Sequence, residues 1–154
     1  MLLERKILIA LEGPSQSGKT KSIKNLADMI QKKYQSRVYK SKKWKECMEV
    51  HLLAGHKVGL SSRSDKFPIF RENFEFLSGQ LQCAFIVCAL NEKTKGMEDY
   101  MNALKLHDWE IFLIRKSPDF YDRVKKENQF FLNQTAAVKL LDCLMNQLKI
   151  NNNE

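Results

Sequence analysis

Eight residues, Gly13-Pro14-Ser15-Gln16-Ser17-Gly18-Lys19-Thr20, bring together two glycines, a lysine and a hydroxyl at a spacing suited to holding a phosphate chain. Phosphate oxygens are held by successive backbone N–H groups, and the chain curls around them only where side chains are small or absent, as at Gly13 and Gly18. Lys19 is placed to reach the β- and γ-phosphates as a point charge. The Thr20 hydroxyl is placed to ligate Mg²⁺, and Lys21 closes the candidate nucleotide-binding set.

Such a loop works only between a strand that delivers it and a helix that presents its positive end to the anion. Both are legible here. The apolar run Ile7-Leu8-Ile9-Ala10-Leu11 reads as a buried strand, and Ser22 to Lys33 carries Ile23, Leu26, Ala27 and Ile30 at the spacing of one helical face.

A chain of 154 residues with 44% apolar and 29% charged residues suits one globular domain with its own core. We read residues 1–150 as that domain and 151–154 as a frayed tail. No apolar run approaches 18 residues and the first strand begins almost at once. Neither a signal peptide nor a membrane span is therefore expected, and the reading is cytoplasmic, with no membrane partner. Cys47, Cys83, Cys88 and Cys143 form no metal or disulfide spacing and read as buried thiols, Cys83 and Cys88 on opposite faces of one strand. The formal charge of +8 suits either polyphosphate or nucleic acid. The run Lys40-Ser41-Lys42-Lys43-Trp44-Lys45 is likewise open to two readings: a strand-binding patch, or a solvated helix start with Trp44 turned inward.

Farther along, Ser36 to Tyr39 reads as a strand. Lys42 to Ala54 reads as a helix stopped by Gly55, with Trp44, Cys47, Met48 and either His51 or Leu52 inward. Strands follow at 57–61, 83–90 and 109–114, separated by a helix at 69–78 behind Pro68 and another beginning at Met97. A last helix runs from Thr135 to Lys149 with Val138, Leu141, Leu144, Met145 and Leu148 inward. Strands alternating with helices imply an α/β fold, a parallel sheet covered on both faces. The polar segments 13–20, 61–65, 91–96 and 115–117 all follow strands, at the carboxyl edge where ligands of such sheets collect.

With Ile9-Ala10-Leu11-Glu12-Gly13 running into Ser17-Gly18-Lys19-Thr20, the chain resembles the P-loop nucleoside triphosphate hydrolase superfamily, and within it the small nucleoside and nucleotide kinases. The resemblance implies a three-layer α/β/α sandwich, the P-loop fold, around a five-stranded parallel sheet ordered 2-3-1-4-5. It implies ATP and Mg²⁺ as ligands, and a small-molecule phosphate acceptor as partner. By that analogy Asp65 binds Mg²⁺ through water or takes the acceptor's proton, unless it only caps a turn, and Glu12 is the other candidate acid. Lys93 and Lys95 are the lid cations, with Arg63, Arg115 and Arg123 behind them, unless they are simply solvated lysines.

An R-x-x-x-R lid and a D-x-D pair after the second strand are both missing, as is a G-K-x-D base-recognition sequence. The sequence reading is a small kinase transferring the γ-phosphate of ATP to a nucleoside, nucleotide or other hydroxyl. The alternatives are an ATP-hydrolysing switch or a nucleic-acid-associated ATPase.

Overall fold

Ile7, Ile9 and Leu11 face one apolar layer and Leu8 and Ala10 the other, so the strand that delivers the loop is buried on both sides. The computed structural model describes residues 5–14, 17–41, 47–63, 66–91, 94–116 and 124–153. In chain order its elements are β1 (Lys6–Gly13), α1 (Lys19–Tyr34), β2 (Arg37–Lys40), β3 (Met48–Leu53), β4 (His56–Ser61) and α2 (Phe67–Glu75). A π-helical turn (Phe76–Gln80) prolongs α2, and β5 (Phe85–Asn91), α3 (Met97–Leu106), β6 (Trp109–Arg115) and α4 (Lys126–Asn153) follow. The last helix thus takes in three of the four residues read as a tail.

The expected five-stranded, all-parallel sheet ordered 2-3-1-4-5 is not what forms. Among the described residues the sheet has six strands in the order β2-β3-β4-β5-β1-β6 and is mixed. β4, β5, β1 and β6 are mutually parallel, whereas β3 runs antiparallel to both β4 and β2. The neighbour of β1 on the inner side is therefore β5, with Gly13 level with Asn91. β4 lies one strand farther out, about 10 Å from β1 at the usual strand spacing.

The extra strand comes from the stretch read as a helix over 42–54. Met48 and Val50 enter one core layer, while Glu49 and His51 point to the other face and bond each other there. That is a period of two. Leu53 pairs with His56 across the two-residue turn Ala54-Gly55, whose residues both have positive φ, 51° and 80°. The turn's twist matches that of the strands it joins, and a hairpin results where a helix stop was expected.

Helices α1 and α4 cover one face of the sheet, through Ile23, Leu26, Ala27 and Ile30 against Ala136, Ala137, Leu140, Leu144 and Leu148. Val138, expected inward, is exposed. On the other face Phe70, Phe74 and Leu77 pack with Met97, Met101 and Leu104. Cys83 precedes β5, so strand alternation does not govern it, and it shares this second layer with Cys88. Cys47, Cys83, Cys88 and Cys143 are all free thiols, and burial pushes Cys88 well above its ordinary pKa. No helix among the described residues is long and apolar enough to cross a membrane.

Candidate phosphate-binding site

β1 ends at Gly13, and α1 begins at Lys19 after Gly18, whose φ of 84° and ψ of 16° lie in the left-handed region open to glycine. Gly13 is required for a different reason. A Cβ there would stand 2.9 Å from Ser17 Oγ and 3.3 Å from Lys116 Cβ, so a side chain would force Ser17 and Lys116 to shift. Ser17 is buried inside this closure; Pro14 and Thr20 are half-buried, and Lys21 is exposed. Ser15 and Gln16 lie outside the described residues.

Lys19 is 6% exposed and folds back over the loop. Its ammonium donates to the Gly13 carbonyl at 3.1 Å, to the Pro14 carbonyl and to Ser17 Oγ at 3.4 Å. The first turn of α1 holds no acidic residue and no side chain caps it, while Lys32 and Lys33 stand favourably in its last turn. Ser22 Oγ donates to the Gly18 carbonyl at 2.9 Å and lies 3.4 Å from Asn133 Oδ1 of α4, which brings the loop's exit against the closing helix.

The polar segments after the four parallel strands do gather at one edge, since Ser61, Asn91, Gly13 and Arg115 end strands that run the same way. Their side chains are not all there for chemistry. Ser62 Oγ accepts from the Cys47 N–H at 2.8 Å, and the Ser62 N–H donates to the Cys47 carbonyl at 2.9 Å, so this part of 61–65 locks the β3–β4 hairpin. Asp65 lies outside the described residues, and so does Lys93. Lys95 is exposed on the turn before α3, where Thr94 Oγ1 donates to the Asn91 carbonyl at 2.8 Å. Glu12 is met by Arg115 at 3.8 Å, and Arg123 is outside the described residues. Of the Lys40–Lys45 run, Lys40 and Ser41 are described and the rest is not.

One residue of the site was not singled out from sequence. Lys116 follows β6 directly, its N–H donating to the Glu12 carbonyl at 2.7 Å, and its stem packs against Gly13. It is 2% exposed. Burial, and then the charge of Lys19, push its ammonium down to about 8 from an ordinary 10.5. In sequence it reads only as one member of a polar segment after a strand. What could have found it is its position: the first residue past the strand flanking β1 on the outer side.

These features fit a bound polyphosphate, with a cradle already crowded at Gly13 and two buried lysines flanking it. Thr20 stands half-buried in the first turn of α1, and no group of three or more His, Cys, Asp or Glu side chains capable of holding a metal ion occurs among the described residues. A groove of about 830 Å³ opens on the α2 face, lined by Tyr39, Lys40, Met48, Arg71, Asn73 and Phe76 among others. The buried Nδ2 of Asn73 makes no hydrogen bond there among the described residues. A second, of about 440 Å³, lies between α1 and α4, where Lys21, Lys24 and Lys126 surround Phe130.

No family model matches this chain, and neither a curated protein nor a solved structure matches it.

Proposed function

We propose that the chain binds ATP with Mg²⁺ at Gly13 to Thr20 and transfers the γ-phosphoryl group to the hydroxyl of a small acceptor. The observation that carries the reading is Lys19: buried, anchored on the loop's own carbonyls, at the carboxyl edge of four parallel strands. In the transfer, a bond forms between the acceptor oxygen and the γ-phosphorus, and the bond from that phosphorus to the β,γ-bridging oxygen breaks, leaving ADP. The acceptor's proton passes to a carboxylate, for which Asp65 is the candidate. Lys19, with Lys93 and Lys95 from the segment after β5, offsets the charge on the moving group.

The groove on the α2 face is the place for the acceptor. It is concave, it flanks the end of β4 through Met48, which pairs with Ser61, and it is lined by two cations, Lys40 and Arg71.

The test is a screen of nucleosides, nucleotides and small metabolites with γ-labelled ATP. Wild type is expected to label an acceptor, and Lys19→Ala to reduce labelling by about 100-fold or more, the usual scale for losing one group that stabilises transition-state charge. Free phosphate without a labelled acceptor overturns the transfer. One observation favours a second reading, a nucleic-acid-associated ATPase: the exposed Phe130 stands among three lysines beside α1. Adding single-stranded oligonucleotides to the same assay discriminates the two, because phosphate release that rises with the oligonucleotide and falls with salt belongs to the second reading.

A further inference from the structure

Lys19 is the lysine that the loop's own sequence supplies, but the structure brings a second one to the same loop from the other side. Lys116 enters from β6. Its backbone is fixed by the bond to Glu12, its Cβ and carbonyl lie 3.3 Å and 3.5 Å from where a Gly13 Cβ would stand, and its side chain is almost wholly buried. The preceding residue, Arg115, turns to Glu12 instead. Alternation past the end of β6 therefore sends one cation to an acid and the next to the loop.

Two buried lysines flanking the same glycine lose hydration and their charges oppose each other, and the depressed pKa of Lys116 reflects both effects, burial more than the charge of Lys19. A lysine stem that only filled space could be replaced by an apolar residue. An anion carrying several charges, placed where Gly13, Ser17 and Lys19 meet, turns the same arrangement favourable.

We propose that Lys116 is a second cation of the triphosphate site, holding the phosphate chain from the β6 side while Lys19 holds it from the α1 side. The proposal rests on the triphosphate reading given above. It assigns a binding role to a residue some hundred positions from the loop, in a segment with no phosphate-loop signature of its own.

The experiment compares Mg-ATP, inorganic tripolyphosphate and adenosine as ligands for wild type, Lys116→Met and Lys116→Arg, by calorimetric titration. Methionine keeps the stem and removes the charge. The expected result is a loss of about 10- to 100-fold in affinity for Mg-ATP and tripolyphosphate in Lys116→Met, the range for one charge-assisted hydrogen bond. Lys116→Arg should restore most of it, with adenosine binding unmoved. Thermal unfolding without ligand should show Lys116→Met no less stable than wild type. If wild type itself binds neither Mg-ATP nor tripolyphosphate, the triphosphate reading fails and takes this proposal with it. If wild type binds both and a folded Lys116→Met binds them equally, the role of Lys116 is overturned and the triphosphate reading stands. Should Lys116→Met not fold, side-chain NMR of the lysine ammonium groups in wild type decides. A Lys116 resonance whose titration moves upward with tripolyphosphate supports the role, and one that ignores it overturns the role.

Discussion

Glu49 has almost no contact with water, 5% of its surface, yet three polar side chains meet it and a fourth stands behind one of them. Arg37 reaches it at 3.3 Å and His51 Nε2 at 3.0 Å, the Cys47 thiol faces it at 3.7 Å, and Ser36 Oγ bonds the far nitrogen of His51 at 2.9 Å. Burial alone would raise its pKa; the His51 hydrogen bond and the Arg37 charge outweigh that and hold it below the ordinary 4.5. The same carboxylate, after burial, helps push the Cys47 thiol up to about 12. An acid whose folded pKa is depressed stabilises the fold above its unfolded value, and that contribution is lost as pH falls through the folded value. Glu49→Gln should therefore cost roughly 1–3 kcal/mol near pH 7, as for a lost charge-assisted bond in a buried site. The gap to wild type should close as pH drops below 4.5. Urea titrations at pH 7 and at pH 4 check this, and an equal gap at both would remove the electrostatic account. Little of this network was open to sequence reading, because Cys47 and His51 also fit a helical spacing and nothing local announces that Glu49 is buried. Gly18 and Lys19 are different, since the conformation of the one and the partners of the other lie within the loop itself, whereas Gly13 is also crowded by Lys116 from beyond β6.

At the scale of elements, the strands and helices with undisturbed apolar periods were legible: β1, α1, β5, α3 and the stripe of Phe70, Phe74 and Leu77. The β3–β4 hairpin was not. Its turn lacks the Asn-Gly signal, and Ala54 instead takes a φ of 51°, a conformation that costs a residue with a Cβ about 1 kcal/mol. Helix α4 was read short for a related reason, since Gln129 and the buried Asn133 interrupt the apolar period near its start while facing α1. The hairpin makes a clear prediction. Ala54 is exposed and carries no packing, so Ala54→Gly or Ala54→Asn should relieve the strain and add up to about 1 kcal/mol, or roughly 2–4 °C in Tm for a chain of this size. Calorimetry of the three proteins measures it, and a lower Tm in both variants would show that the turn is not strained. Gly59 in β4 is the counterpart that should not be touched. A Cβ there would meet Leu77 at 3.1 Å and Cys83 at 3.3 Å, where the π-helical turn closes on the sheet.

For the whole molecule, the alternation of strands and helices shows that parallel strands share a carboxyl edge, but not which strands are neighbours. Strand order depends on which side of β1 each crossover returns to, and no residue pattern encodes that side. Here β5 pairs with β1 and β4 is displaced outward, with β3 and β2 added antiparallel beyond it. The sheet consequently has two unequal halves. β1 and β5 are central, paired on both sides and buried on both faces, whereas β2 is an edge of four residues with a register shift between Arg37 and Tyr39 and alternate exposure. Local opening requires little apolar surface to be exposed at β2 and the whole core to be exposed at β1. Amides of β1 and β5 should exchange with solvent only through global unfolding, and those of β2 at least roughly 100-fold faster. On the proposed function, Mg-ATP should add protection at the loop, the first turn of α1 and residues 115–116, while leaving β2 unchanged apart from any gain in global stability. Hydrogen exchange followed residue by residue tests both statements. Equal protection of β2 and β1 would mean that the antiparallel extension belongs to the same cooperative unit as the half that carries Gly13 to Thr20, and ligand protection spreading to β2 would mean that the two halves respond to the ligand together.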